Sequence, residues 1–255
     1  MIDSAIITGG GSGIGQAVAI QIAKQGIQVV LIGRKSSNEI THARILSEGG
    51  RAMVYTCDLE DYATIRSELP LILAKIKGRR WGVVLAASIL GLNGNQSTSE
   101  DFERVFRTNV VGNLTVLEAA LPIMKNSEFG RVVFFAGGGA AYAYPIFPAY
   151  ALSKVSTVRL VENLAANYPP VSGLSFVCLA PGAVDTPMLS KVIIAGGEVK
   201  TKTLISEPVE FVTTYLNSES NSLSGRYLHV RDNWRSYLDE THVPASNQFF
   251  LRRVE

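Results

Sequence analysis

Short apolar runs alternate with longer helical stretches along the whole chain. The runs are apolar at nearly every position, and several are rich in β-branched residues. This pattern is typical of strands that are buried on both faces of a sheet. It predicts strands at Ile2–Thr8, Ile27–Ile32, Arg51–Thr56, Val83–Ala87, Arg131–Ala136, Leu174–Leu179 and Arg226–Val230.

The stretches between these runs have the pattern of helices. They cover Gly13–Gln25, Ser36–Ser47, Asp61–Lys77, Asp101–Lys125 and Ala149–Tyr168. Strands that alternate with helices indicate βαβ units, so we predict an α/β fold with a doubly wound parallel sheet of about seven strands and helices on both faces. No linker or repeat divides the chain, and residues 1–255 are predicted to form a single domain. We interpret the irregular segment Gly182–Glu207 as a lid.

Composition narrows the class of protein. Of the 255 residues, 47% are hydrophobic and 18% are charged, which is typical of a globular protein. The net charge of +2 argues against a general nucleic-acid binder. Cys57 and Cys178 are too few for a disulfide framework, and His42, His229 and His242 lack metal-ligand spacing, so no metal is predicted. Because neither a spanning apolar run nor a basic leader is visible, we expect a cytoplasmic protein without a membrane segment.

A glycine-rich turn, Thr8-Gly9-Gly10-Gly11-Ser12-Gly13-Ile14-Gly15, joins the first predicted strand to the first helix. Glycines allow backbone amides to approach a pyrophosphate, and the positive end of the helix favours an anion. The spacing is T-G-x-x-x-G-x-G and departs from the generic G-x-G-x-x-G, so an ordinary tight turn is the alternative. We predict a dinucleotide site that includes Gly9, Gly11, Ser12, Gly13, Ile14 and Gly15.

The end of the second predicted strand bears on the choice of cofactor. NAD sites place an acidic residue there to bind the ribose hydroxyls. This chain has Gly33 at that point, followed by Arg34 and Lys35. Two adjacent cations can pair with a 2′-phosphate, so the sequence favours NADP (NADPH) over NAD. The alternative is a pair of solvated surface cations at a helix start.

Tyr150 and Lys154 open the helical stretch that begins near Ala149. Residues four apart share one face of a helix, so the phenol and the ammonium can address one site. Together with the glycine-rich turn, this pair resembles the short-chain dehydrogenase/reductase family over nearly the whole chain. Three further motifs match in order: Cys57-Asp58-Leu59, Arg107-Thr108-Asn109-Val110 and Pro181-Gly182-Ala183-Val184-Asp185-Thr186.

The resemblance implies a Rossmann-like fold and a mechanism. Lys154 would bind the nicotinamide ribose and lower the pKa of Tyr150, and Asn109 would hold a water that links Lys154 to solvent. Tyr150 would then act as general acid toward a carbonyl or general base toward an alcohol. The resemblance also assigns to the cofactor site Asp58, Leu59, Ala86, Ala87, Pro181, Gly182, Val184 and Thr186. It implies a small-molecule carbonyl or alcohol substrate and a homodimer or homotetramer.

Two positions depart from the family pattern. The family carries a serine thirteen residues before the tyrosine, and here that position is Gly137. Loss of such an oxyanion donor typically costs about 10²–10³ in rate. Tyr142, Ser88, a water or the substrate itself could replace it. The family's Asn-Asn-Ala-Gly reads Ala86-Ala87-Ser88-Ile89, so a stabilising asparagine is missing.

These departures leave two functions open. The first is an NADP-dependent oxidoreductase that transfers a hydride to or from a carbonyl or hydroxyl carbon. The alternative is a catalytically impaired NADP-binding protein that acts as a sensor or assembly subunit. The substrate pocket is expected from loops in the C-terminal half, and Tyr142, Tyr144, Ile146 and Phe147 suggest an apolar or aromatic lining.

Overall fold

A seven-stranded parallel sheet forms the centre of the computed structural model. The structure describes residues 1–127, 129–199, 202–239 and 242–252, except for the side chain of Lys35. The strands are β1 (Ser4–Thr8), β2 (Gln28–Gly33), β3 (Ala52–Thr56), β4 (Trp81–Leu85), β5 (Gly130–Phe135), β6 (Leu174–Ala180), β7 (Ala183–Val184), β8 (Lys202–Thr203) and β9 (Arg226–His229). The sheet has the order β3-β2-β1-β4-β5-β6-β9, and β7 and β8 pair separately. This confirms the predicted α/β fold and the parallel sheet.

Helices cover both faces of the sheet. They are α1 (Gly13–Lys24), α2 (Lys35–Ser47), α3 (Tyr62–Leu73), α4 (Ser99–Phe106), α5 (Asn113–Asn126), α6 (Pro148–Asn167), α7 (Pro187–Ile194), α8 (Ser206–Asn217) and α9 (Arg235–Leu238). One core contains side chains of α3, α5 and α6, and the other contains side chains of α1, α2 and α8. Alternate residues of each strand enter opposite cores, as Ile6 and Ile7 of β1 do.

The chain first adds β2 and β3 on one side of β1 and then crosses to add β4 on the other side. The order of the strands therefore reverses between β1 and β4. Thr8 at the end of β1 lies level with Ile32 on β2 and Leu85 on β4. Helix α1, which follows β1, packs on one face of the sheet, and α5, which follows β4, packs on the other, so a crevice opens between them at the carboxyl edge. Open α/β sheets bind ligands at such a switch point.

The structure corrects three sequence expectations. The predicted helix Asp101–Lys125 consists of α4 and α5 with a π-helical turn, Arg107–Gly112, between them. The segment Gly182–Glu207 is more regular than expected, because its described part contains β7, α7 and β8. Helix α8 was not predicted at all. That residues 1–255 form a single domain stays a prediction.

The described helices include none that is both long and apolar enough to cross a lipid bilayer. The same residues contain no group of three or more His, Cys, Asp or Glu side chains that could hold a metal ion.

Candidate active site

A cleft follows the carboxyl edge of the sheet, where the loops after β1, β2, β3, β4, β5 and β6 meet. Most of the residues predicted to bind a cofactor line it. Its walls include Gly9, Gly11, Ser12, Gly13, Ile14, Gly15, Gly33, Arg34, Asp58, Leu59, Ala86, Ala87, Ser88, Ile89, Tyr150, Lys154, Pro181 and Thr186.

The glycine-rich turn forms a cradle that side chains would fill. Gly9 has a φ of +67°, and a Cβ at this position would lie 2.7 Å from the backbone nitrogen of Ala87. The turn can therefore pass this close to the loop after β4 only with glycine. Ser12 is the N-cap residue of α1, but its side chain makes no capping hydrogen bond. The first amides of α1 thus remain available to an anion in the cleft, which fits the pyrophosphate of a dinucleotide.

Asn113 at the start of α5 joins the ends of two strands beneath this cradle. The hydroxyl of Thr8 donates to Oδ1 of Asn113 (2.6 Å), and Nδ2 of Asn113 donates to the carbonyl of Ala87 (2.9 Å). The backbone nitrogen of Ala87 donates in turn to Oγ1 of Thr8 (3.2 Å). Asn113 therefore supplies the polar support that Ala86 and Ala87 cannot. Asn113 was not predicted from the sequence, although it lies one helical turn beyond Asn109.

Asn109 lies behind the cleft wall in the π-helical turn. Its Oδ1 accepts from the backbone nitrogen of Ile89 (2.8 Å), and its Nδ2 donates to the carbonyl of Ile89 (2.9 Å) and to Oγ of Ser153 (3.0 Å). Both amide hydrogens are thereby used within the protein. The side chain holds the loop after β4 against α6, and its role toward a bound water stays a prediction.

Tyr150 and Lys154 lie one turn apart on α6, and both side chains reach the cleft. Tyr150 is 8% exposed and Lys154 is 4% exposed. The ammonium of Lys154 donates to the carbonyl of Phe135 at 3.0 Å and lies 5.3 Å from the ring centre of Tyr150. Because an ammonium has three donors, two remain for the hydroxyls of a ribose.

Burial dominates the ionisation of this pair. It lowers the pKa of Lys154 to about 8, so the side chain still carries its charge at neutral pH. Burial raises the pKa of Tyr150 above its usual value, and the neighbouring phenols of Tyr144 and Tyr142 add to the shift. The structure therefore does not show the expected lowering of this pKa by Lys154. Tyr150 keeps its proton at neutral pH, as a general acid must.

Gly137 lies directly against the hydroxyl of Tyr150. A Cβ at Gly137 would overlap the Tyr150 hydroxyl oxygen and lie 2.9 Å from Cζ of the ring. The hydroxyl of Tyr150 thus occupies the space that a serine side chain would need. A serine at this position fits only if Tyr150 moves.

The structure changes the ranking of donors that could replace a serine. Tyr142, the first candidate from sequence, is 66% exposed. Tyr144 is half-buried instead and packs against the apolar cluster formed by Leu90, Phe147, Tyr150 and Val192. It also acts on the pKa of Tyr150 more strongly than Tyr142 does. Tyr144 therefore replaces Tyr142 as the candidate donor.

Ser88 remains the second candidate donor. Its Oγ is buried without a hydrogen-bond partner, in the wall of the cleft.

Some predicted cofactor residues lie outside the cleft wall. Val184 is buried in β7, and Gly182 packs against Oγ1 of Thr203. The side chain of Lys35 is outside the described part of the structure, whereas Arg34 is exposed at the mouth of the cleft. The cleft wall also includes residues that were not predicted from the sequence, among them Ser37, Asn38 and Arg104. Ser37 and Asn38 follow Arg34 on the first turns of α2, and their proximity to it in the sequence was an unused signal.

The sequence is similar to known oxidoreductases. A sequence model described as short chain dehydrogenase matches residues 3–194. Levodione reductase from Leifsonia aquatica is 28% identical over 244 residues, which cover 94% of this chain and 91% of that protein. Oxidoreductase UcpA from Salmonella typhimurium is 30% identical over 192 residues, which cover 74% of this chain and 72% of UcpA.

Solved structures share the fold. The crystal structure of levodione reductase has a TM-score of 0.80 at 24% identity, over 91% of this chain and 97% of that one. The actinorhodin polyketide ketoreductase with NADPH has a TM-score of 0.79 at 22% identity, over 89% and 95% of the two chains. At these identities the structural similarity shows the fold alone, whereas the sequence match extends over most of the chain. The chain therefore belongs to the short chain dehydrogenase family of nicotinamide-dependent oxidoreductases.

Proposed function

We propose that this protein is an NADP-dependent carbonyl reductase or alcohol dehydrogenase. The observation that carries the proposal is that Tyr150 and Lys154 reach the same cleft as the glycine cradle. When bound there, the nicotinamide supplies or accepts the hydride. A panel of carbonyl and alcohol substrates with NADPH or NADP, followed by nicotinamide absorbance, tests this activity. Binding of NADPH without any turnover would favour a sensor or assembly subunit instead.

The other roles in this reaction fall to four residues in and behind the cleft wall. Tyr150 gives its proton to the oxygen of a carbonyl during reduction and takes it back during alcohol oxidation. Lys154 binds ribose hydroxyls with its two remaining donors and keeps a positive charge beside the phenol. Asn109 and Asn113 bind the backbone of the loop after β4 and so hold this loop against α5 and α6. Their contribution is to keep the cleft in shape.

The substrate next to Tyr150 is proposed to be an uncharged, apolar carbonyl compound. The surrounding cluster consists of Leu90, Phe147 and Val192, with Tyr144, Ile146, Met188 and Ala195 packed against it. These side chains are uncharged, and the ammonium of Lys154, 5.3 Å from the ring centre of Tyr150, donates to the carbonyl of Phe135. A carboxylate substrate would lose its hydration among the apolar side chains of this cluster. Within the panel, apolar ketones should therefore react faster than keto acids.

We propose that Tyr144 donates the second hydrogen bond to the reacting oxygen. Tyr144 is half-buried on the loop that leads from Gly137 to α6, and it packs against the cluster that includes Tyr150. Tyr144→Phe should lower turnover by about tenfold or more, because one donor to a developing oxyanion is lost. Tyr142→Phe is the matched control, since its ring is 66% exposed on the same loop, and it should keep wild-type turnover. Equal losses in both variants would remove Tyr144 from this role.

NADP preference is proposed from the end of β2. Arg34 lies at the mouth of the cleft beside Gly33, where an acidic residue would select NAD. We expect NADPH to bind at least about tenfold tighter than NADH, which corresponds to roughly 1.4 kcal/mol. Arg34→Ala should remove most of this gap in a calorimetric titration, whereas Arg66→Ala, outside the cleft, should leave it unchanged. Equal wild-type affinities for both cofactors would reject the preference.

Assembly into a homodimer or homotetramer is also proposed. Val111, in the π-helical turn before α5, and Leu152, on α6, are apolar and exposed at 36% and 48%. Exposed apolar side chains on neighbouring helices are consistent with a subunit contact. The cytoplasmic location stays a prediction.

A further inference from the structure

Strand β9 lies at one edge of the sheet, with β6 as its single neighbour among the described strands. An edge strand presents backbone N–H and C=O groups that can pair with a strand of another chain. The N–H groups of Tyr227 and His229 are two residues apart in this extended strand and therefore point to the same side. The acceptors that bind these two groups decide whether the edge is open to a partner.

Both N–H groups are bound by acceptors of the same chain that lie outside the sheet. The N–H of Tyr227 donates to the carbonyl of Phe249 at 2.8 Å, and the N–H of His229 donates to Oδ2 of Asp232 at 2.7 Å. The first acceptor belongs to the C-terminal segment, residues 245–252, and the second to the turn that follows β9. A strand of a second copy would therefore find both of these donors already in use.

Two ionic side chains attach the C-terminal segment to the body of the protein. Arg226 on β9 donates from Nη1 to the carbonyl of Gln248 at 2.7 Å and lies within 3.4 Å of two further carbonyls of the segment. Glu162 on α6 accepts from Nη1 of Arg252 at 2.9 Å. The segment is thus held at β9 by its backbone and at α6 by an ion pair.

The C-terminal segment passes around the β9 edge and contacts both faces of the sheet. The ring of Phe249 packs edge-on against Tyr237, with 5.7 Å between the ring centres, next to the core that contains α1, α2 and α8. Leu251, two residues later, packs against the core on the opposite face. Phe249 has a φ of +62°, which residues with a bulky side chain rarely adopt. Such a conformation persists only where the surrounding contacts hold it in place.

We propose that the C-terminal segment and Asp232 close the β9 edge to a second copy of this chain, so that assembly stops at the homodimer. The partner that they exclude is β9 of another copy, which could extend the sheet across a two-fold axis. This inference rests on the assembly proposed above and chooses between its two outcomes. A homotetramer with two-fold symmetry needs a second kind of interface, and the closed edge does not supply it.

Amide hydrogen exchange at Tyr227 tests the closure in the full chain. Phe249→Pro cannot adopt a φ of +62°, so it should detach the segment and speed exchange of the Tyr227 amide by about tenfold or more. Phe249→Gly is the matched control, because it loses the same ring but readily adopts this φ. Exchange in the control should stay within about threefold of the wild-type rate.

Light scattering tests what the closure prevents. The wild type should remain a dimer from about 1 to 100 micromolar protein. Phe249→Pro combined with Asp232→Ala removes both acceptors from the edge, so this double variant should form tetramers whose share rises with concentration. Phe249→Gly combined with Asp232→Asn keeps an acceptor at each position and should remain a dimer.

The outcomes separate this inference from the assembly proposal. A wild-type tetramer would overturn the inference and leave the assembly proposal intact. A wild-type monomer would overturn the assembly proposal, and the inference would then require that the double variant dimerises. Unchanged mass in a double variant whose Tyr227 amide exchanges rapidly would overturn the inference alone.

The wild type decides the matter if the double variant does not fold. A cap from the same chain protects the Tyr227 amide equally at all protein concentrations, so unchanged protection on dilution of a dimer supports the inference. Protection that is lost on dilution would come from a second copy and would overturn it.

Discussion

Tyr150→Phe should lower turnover by about 10²-fold or more while NADPH binding persists, because the variant keeps the ring and deletes the acid. The ring fills a buried position in the cluster with Leu90, Phe147 and Val192, so its packing is retained. Steady-state turnover on a substrate found in the panel, with NADPH affinity measured separately, checks this result. The loss should appear in kcat rather than in cofactor affinity.

Tyr215→Phe is the matched control for the loss of a buried phenol. Tyr215 is fully buried on α8, and its hydroxyl shares a 2.7 Å hydrogen bond with Ser175, away from the cleft. This variant should lose some stability, on the order of 1 kcal/mol, and keep wild-type turnover. If Tyr150→Phe also keeps wild-type turnover, Tyr150 is not the acid and the proposed mechanism is wrong.

Gly137→Ser should lower turnover by about 10²-fold, because a small displacement of a catalytic group can have that cost. The new Cβ would overlap the hydroxyl oxygen of Tyr150 and push the phenol out of its position. Overpacking of this kind also destabilises the fold by roughly 1–3 kcal/mol. Turnover and melting temperature, measured on the same preparation, check both effects.

Gly137→Ala separates the steric effect from the chemical one. It adds the same Cβ without a hydroxyl, so under the steric account both variants lose activity to a similar extent. If the missing serine hydroxyl were the only difference from relatives, Gly137→Ser would instead exceed Gly137→Ala and the wild type. A faster Gly137→Ser enzyme would therefore contradict the close packing of Tyr150 against Gly137.

Local sequence patterns were sufficient to predict the elements whose burial gives a regular pattern of apolar residues. The strands of the parallel sheet are covered on both faces, so almost every position is apolar, and all seven were predicted within a few residues. The glycine-rich turn and the spacing of Tyr150 and Lys154 are equally local. They identified the cleft and its two buried side chains before any contact was known.

Local patterns failed where a small change in geometry leaves the periodicity almost intact. The π-helical turn Arg107–Gly112 interrupts a stretch that reads as one helix, because its widened turn hardly alters the spacing of apolar residues. Helix α8, whose buried face includes Phe211, Val212 and Leu216, was also not predicted from the sequence. In both cases the packing against neighbouring elements, rather than the sequence period, defines the element.

The sequence by itself determined the fold, the family and the position of the cleft, because these depend on apolar periodicity and on motifs of a few adjacent residues. Only the tertiary structure decided which polar groups meet across long separations. Asn113 accepts a hydrogen bond from the hydroxyl of Thr8, which is 105 residues away in the sequence. The hydroxyl of Tyr150 occupies the space in which a side chain at position 137 would lie. Hydrogen bonding and steric exclusion act between atoms, so they follow from coordinates and not from residue order.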